Sequence, residues 1–298
     1  MTDKTPEIAS PLRTKAIMNA YGLTFKKSLG QNFLTDVNVL HKIVTAAEIS
    51  AADDVLEIGP GIGGALTEQL AKKAHQVVAL ELDERLLPVL ADTLAPYKNV
   101  TVLHQDVLKA DLQQLLATNL DGAHQLKVVA NLPYYITSPI ILHLLNTGIG
   151  FEALVVMMQK EVAERLSADP GTKAYGSLSV RVQYQMDVKT AFIVPRTVFV
   201  PQPNVDSAIV SLTPPLKTKQ LLPFNEAAFF KVVKGCFAHR RKSLWNNLKS
   251  MFGKEETQKI ALTRALAELE LSPQLRAEKL TVQQFILLVN KLHELELL

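Results

Sequence analysis

Asn131-Leu132-Pro133-Tyr134 directly follows the apolar run Val128-Val-Ala130. These residue types suit recognition of a flat, amine-bearing base. A carboxamide oxygen and the Leu132 carbonyl, which precedes proline, accept hydrogen bonds from an exocyclic amine, and a tyrosine face stacks on a ring. Alone the tetrapeptide says little, because Asn and Pro close many strands. Its weight comes from the segment Asp54-Val-Leu-Glu57-Ile-Gly59-Pro-Gly61-Ile-Gly63-Gly64 upstream. That segment reads as a strand, a glycine turn and a helix start, the arrangement of a nucleotide-binding βα unit.

The acid beside the glycines narrows the ligand. A dinucleotide loop sets a pyrophosphate on the helix N-terminus, where Glu57 would oppose it. S-adenosylmethionine has no phosphate and carries an ammonium and a sulfonium, so it tolerates a carboxylate there. The next apolar runs end in Glu81, in His104-Gln-Asp106 and in Asn131. A carboxylate at the second strand end is placed for ribose hydroxyls, and one at the third for an adenine amine. Any one of these acids alone is more often a helix N-cap or a loop charge. Together, Glu57, Glu81, Asp106 and Asn131 fall at the carboxyl ends of successive strands, the edge where open α/β sheets bind ligands.

The elements that must carry these groups follow from pattern. Apolar runs at 54–58, 76–80, 100–103, 126–130 and 153–158 alternate with helical segments, which predicts a parallel, doubly wound sheet. The runs 180–187 and 207–213 lack a helical pattern between them and are expected to form an antiparallel pair at the sheet edge. Ser10 and Asp36 are expected to cap two N-terminal helices, joined by the basic, glycine-containing loop Phe25-Lys-Lys-Ser-Leu-Gly-Gln-Asn-Phe-Leu34. Pro214 to Pro223 reads as a linker, and the remainder as helical. The expected domains are 1–50 (an N-terminal helical extension), 51–215 (the cofactor-binding sheet) and 216–298 (helical, with the basic stripe described next).

Charge is uneven over the 298 residues. Net charge is +3 overall, yet residues 221–298 carry 12 Lys and Arg against 8 Glu. Lys231, Lys234, Arg240, Arg241, Lys242 and Lys249 run with no acid between them. Such a stripe is a candidate phosphate-contacting surface, with Lys234, Arg240, Arg241 and Lys242 as its expected RNA contacts, although a solvated helix face would look the same. Phe237, His239 and Trp245 interleave with it. The single cysteine, Cys236, excludes an intrachain disulfide. No His-His or His-acid spacing suggests a metal site, and no Gly-x-Ser-x-Gly elbow suggests a hydrolase. Neither a signal core nor an apolar run of membrane-spanning length is visible, so a cytoplasmic protein is expected. No coiled-coil pattern appears, and a monomer is expected.

The motifs resemble the ribosomal RNA adenine dimethyltransferases of the KsgA/RsmA family over nearly the whole chain. The matching pieces are Leu29-Gly-Gln-Asn-Phe-Leu34, Glu57-Ile-Gly-Pro-Gly61, Glu81-Leu-Asp83, Gln105-Asp106-Val-Leu108, Asn131-Leu-Pro-Tyr134, Val198-Phe-Val-Pro-Gln-Pro-Asn-Val-Asp-Ser207 and Cys236-Phe-Ala-His-Arg-Arg-Lys-Ser-Leu244. The resemblance implies an α/β fold, a Rossmann-like S-adenosylmethionine-dependent methyltransferase sheet with a small all-helical C-terminal domain. It implies that Asn32 and Leu34 close over S-adenosylmethionine and that Gly59 and Gly61 approach its methionine part. Glu81 takes the ribose, and Asp106 takes the adenine. Asn131, with Leu132 and Pro133, lies between cofactor and target base. Tyr134 stacks on that base, with Phe199 as a second face. The implied substrate is a pair of adjacent adenosines in the 3′-terminal hairpin of 16S rRNA, dimethylated at the exocyclic amine during small-subunit biogenesis. The alternatives are a 23S rRNA adenine methyltransferase of the macrolide-resistance type and a non-catalytic ribosome-assembly factor. A DNA adenine methyltransferase or a dehydrogenase fits less well.

Overall fold

The apolar runs of the first half do become strands. A computed structural model describes residues 7–25, 30–215, 221–253 and 255–298. The strands are β1 (Phe33–Leu34), β2 (Asp53–Ile58), β3 (Gln76–Glu81), β4 (Val100–His104), β5 (Gln125–Asn131), β6 (Ala153–Gln159), β7 (Asp187–Val194), β8 (Phe199–Val200) and β9 (Ser207–Thr213). Seven form one sheet in the order β4-β3-β2-β5-β6-β9-β7, and β1 pairs with β8 in a separate two-stranded ribbon. Strands β2 to β6 are mutually parallel, and β9 runs antiparallel to β6. Every residue of β2 is buried, as expected for a central strand covered on both faces. The sheet order reverses beside β2, so the carboxyl ends of β2, β3 and β5 converge on a crevice.

The chain divides into two compact units, Met1–Ala163 with Val188–Pro214, and Glu164–Asp187 with Pro215–Leu298. The first holds both sheets. The N-terminal helices Pro11–Ala20 and Val37–Ala46 begin as the sequence suggests. Ser10 Oγ accepts from Arg13 N–H, and the Asp36 carboxylate accepts from Asn38 and Val39 N–H. Leu40, Ile43 and Val44 form the buried stripe of the second helix. Residues 26–29 of the basic loop and 216–220 of the expected linker lie outside the described residues.

The second unit corrects two expectations. Residues 164–187 pack with the C-terminal helices, not with the catalytic sheet. Within them, the run expected as a strand is the helix Ser177–Gln185. Val180 and Val182 alternate with polar residues and imitate a strand. However, Ser179 Oγ accepts from the Gly176 N–H and donates to the Arg165 carbonyl, which closes a helical first turn. The strand that borders β9 is instead β7, beginning at Asp187. Helices Glu226–Cys236, Leu244–Phe252, Glu256–Glu268 and Val282–Glu294 complete the unit. Their core includes Phe229, Cys236, Leu248, Leu266 and Phe285, all fully buried. Burial pushes the Cys236 thiol up to about 12, so it packs as a small apolar group.

The amino-terminal edge of the main sheet carries acids too. Asp53 is paired with Lys127 at 3.0 Å, and Lys127 also donates to the Glu48 carbonyl. Asp54 lies 2.9 Å from His75 Nδ1. His75 stacks on His124 with ring centroids 3.7 Å apart, although nothing in their sequence spacing suggested that the three would meet. One carboxylate oxygen of Asp54 and one ring nitrogen of each histidine lie within 4.8 Å of one another.

Candidate active site

The crevice at the carboxyl edge is lined by most of the residues singled out from sequence. Asn32, Leu34, Glu57, Gly59, Gly61, Glu81, Asp106, Asn131, Leu132, Pro133 and Tyr134 all border it, together with Gln31, Gln105 and Tyr135. The turn after β2 depends on glycine at two of these positions. Gly59 has φ +74°, a left-handed conformation that glycine adopts without steric cost. Gly61 has φ +67°, and a Cβ there would come within 3.0 Å of the Phe33 ring. The ribbon formed by β1 therefore lies directly against the glycine loop.

Glu81 ties this loop to the next strand. Its carboxylate accepts from Gly61 N–H at 3.1 Å and from Asp83 N–H at 2.8 Å. Burial pushes its pKa up, and those backbone donors hold it down. Asp106 accepts from Leu108 N–H at 3.0 Å and has Lys109 at 3.7 Å.

Glu57 is different. It is 1% exposed, and its Oε2 finds no hydrogen-bond partner among the described residues. Burial pushes its carboxyl up to about 8, the Thr67 hydroxyl opposing this and the Glu81 charge adding to it. A buried carboxylate aimed at an open crevice without a counter-charge is costly. A cation in the crevice would relieve that cost.

The Asn131-Leu132-Pro133-Tyr134 turn is held at several points. Asn131 Nδ2 donates to the Asn32 carbonyl at 3.2 Å, which orients the carboxamide and leaves Oδ1 without a donor among the described residues. Leu132 N–H donates to the Met157 carbonyl at 3.1 Å. The Pro133 carbonyl accepts from Thr137 Oγ1 at 2.9 Å and from Ile136 N–H at 3.2 Å. The Leu132 carbonyl has no such donor among the described residues. Two acceptors on adjacent residues are thus available beside the Tyr134 ring.

Phe199 does not join them. It is 2% exposed, pairs with Leu34 in the ribbon and packs in the core with Val194 and Ile209. Alternation along β8 turns it inward, so it supplies no second stacking face in this arrangement. Tyr135, 56% exposed and bordering the crevice, was passed over by the sequence reading despite lying next to the motif.

In the second unit, Lys234, Arg241 and Lys242 are exposed. Arg240 is committed elsewhere: its guanidinium donates to the Lys173 and Tyr175 carbonyls at 2.8 and 2.9 Å and lies 3.5 Å from Glu278. It braces that unit from within while remaining exposed. Phe237 and Trp245 pack against the helical core, and Lys249 lies 4.9 Å from the Trp245 ring centroid.

Fold and crevice together define a Rossmann-like methyltransferase. The structure is similar to a dimethyladenosine transferase from Plasmodium falciparum, with a TM-score of 0.74 and 27% identity over 89% of this chain and 98% of that one. It is also similar to the 23S rRNA methyltransferase ErmE, with a TM-score of 0.66 and 26% identity over 88% of this chain and 100% of that one. The family model described as "Ribosomal RNA adenine dimethylase" matches residues 22–294, and the chain belongs to that family of enzymes. Among its relatives is the ribosomal RNA small subunit methyltransferase A of Ligilactobacillus salivarius, 65% identical over 98% of both chains. The protein of the same name from Enterococcus faecalis is 56% identical over 99% of both. No helix among the described residues is long and apolar enough to cross a membrane.

Proposed function

We propose that this protein transfers methyl groups from S-adenosylmethionine to the exocyclic amines of two adjacent adenosines in the 3′-terminal hairpin of 16S rRNA. The observation that carries the reading is the acceptor pair, Asn131 Oδ1 and the Leu132 carbonyl, beside a tyrosine ring at the mouth of the crevice. The near-complete match to proteins named for the small subunit favours that RNA over the large-subunit substrate in the name of ErmE.

The residues fit the cofactor. Glu57 offers a buried carboxylate in need of a positive charge, and Gly59 and Gly61 leave the backbone bare beside it. Glu81 would hold the ribose hydroxyls and Asp106 the adenine amine, with Asn32 and Leu34 closing one side. When bound, S-adenosylmethionine supplies an electrophilic methyl group on a sulfonium.

An adenine amine is a weak nucleophile because its lone pair is delocalised into the ring. Asn131 Oδ1 and the Leu132 carbonyl accept its two N–H groups. This favours a pyramidal nitrogen whose lone pair is free to attack. The gain comes from orientation and from fixed dipoles placed before reaction. The base must first leave its stack, and Tyr134 repays roughly 1–3 kcal/mol of that cost by stacking. Lys234, Arg241 and Lys242 would contact RNA phosphates.

The test is transfer of labelled methyl to unmethylated small subunits, large subunits and DNA, with the product nucleoside identified. Dimethyladenosine in the small-subunit hairpin is expected. Label confined to large-subunit RNA would overturn the assignment, and tight subunit binding without label would favour an assembly factor.

A further inference from the structure

The Tyr134 hydroxyl lies 2.6 Å from Ser207 Oγ. Ser207 is fully buried and is the first residue of β9. The topology explains how it reaches the site. Because β9 runs antiparallel to β6, its first residue pairs with Gln159 at the end of β6, beside the edge where the parallel strands end. A strand that brings no βα loop to the crevice thus brings one buried hydroxyl to Tyr134. The opposite end of the same turn is fixed by Asn131 Nδ2 on the Asn32 carbonyl. The Tyr134 ring is therefore pinned at its tip, and the residue borders the crevice.

We propose that Ser207 is a positioning residue that fixes the plane of the Tyr134 ring, and that the second methyl transfer to each adenosine depends on it more than the first. The inference rests on the proposed adenine methylation. In each transfer the amine lone pair forms the new N–C bond, the C–S pair stays with sulfur, and one amine proton passes to water. The first transfer starts from an amine with two N–H groups, one for each acceptor. The second starts from a methylamine with one. Half of the hydrogen-bond restraint on the nitrogen is then gone, and the stacked ring must carry more of the orientation. A loosely held tyrosine penalises that step most, because small losses of alignment are costly in rate.

The experiment compares wild type, Ser207→Ala, Tyr134→Phe and the double variant on unmethylated small subunits. It reads kcat, KM, S-adenosylmethionine affinity and the ratio of monomethyl- to dimethyladenosine. Tyr134→Phe removes the same hydrogen bond without touching the buried serine, so it guards against misfolding of Ser207→Ala. The expected result is a fall in kcat of about tenfold in each single variant with cofactor affinity kept. Monomethyladenosine should accumulate, the double variant should be no worse than either single one, and Ser207→Thr should recover activity. Additive losses, or an unchanged monomethyl to dimethyl ratio in both single variants, would overturn the proposal while leaving adenine methylation standing. A wild-type protein that makes no methyladenosine would overturn both.

Discussion

Two ends of one buried strand treat their acids in opposite ways. At the amino end of β2, Asp53 has Lys127 and Asp54 has His75. At the carboxyl end, Glu57 is equally buried, and its Oε2 has no partner among the described residues. Charges taken out of water persist when they are paired inside the protein or when a ligand pairs them. The first arrangement is a structural solution. The second leaves a place for a cation, and it faces the crevice. A buried acid thus becomes a functional signal only when its partner is missing.

Variants at the two ends should separate these roles. The largest effect belongs to the crevice: Asn131→Ala is expected to cut methyl transfer by at least a hundredfold, as loss of a fixed transition-state dipole does, with S-adenosylmethionine affinity largely kept. Turnover near that of wild type would remove the acceptor-pair argument. At the amino end, Lys127→Ala should lower unfolding stability in urea by about 3 kcal/mol, because it leaves the buried Asp53 carboxylate without a counter-charge and with only the Ser50 N–H and Oγ as donors. The active-site chemistry of the folded fraction should be unaffected. A stability loss below about 1 kcal/mol would show that Asp53 does not need its partner, and the contrast between the ends would fail.

Glu57 gives a pH test. Its folded pKa is raised from 4.5 to about 8. Between those values the unfolded chain ionises while the folded one keeps its proton, so this group's contribution to stability is full below pH 4.5 and is lost as pH rises toward 8. Glu57→Gln should therefore gain stability relative to wild type across that window in the ligand-free protein. A bound cation needs the ionised form. Calorimetry in buffers of different ionisation enthalpy should thus show a proton released on cofactor binding below about pH 8, and the release should vanish in the variant. Proton release that persists in Glu57→Gln would assign it to another group. The smallest effect is expected on the exposed stripe. Arg241→Ala with Lys242→Ala should reduce the salt slope of RNA binding by about 2, whereas Arg240→Ala should act mainly on the thermal stability of the second unit.

Periodicity made the parallel strands legible because each is a short, continuous apolar run closed by a polar residue. The same rule failed at 180–187. Two β-branched valines at alternate positions satisfied a strand pattern, while a serine bonded to Gly176 and Arg165 carried the helix. Most of the crevice lining could be named in advance because every contributing strand ends there. Phe199 could not be placed, since its direction depends on pairing with Leu34, far away in the chain. Ser207 stood inside a quoted motif with no role attached, because only the antiparallel insertion of β9 brings it to Tyr134.

The sequence by itself determined the α/β alternation, the glycine turn and the identity of the acids and amide at the strand ends, because these are local matters of spacing and chemistry. Tertiary structure alone decided which of those groups have partners. It set Asn131 against Asn32, gave Lys127 to Asp53, left Glu57 Oε2 without a hydrogen-bond partner among the described residues, turned Phe199 into the core and tied Arg240 to the Lys173 and Tyr175 carbonyls. Pairing, burial and side-chain direction depend on residues distant in the chain, and a linear pattern carries no record of them.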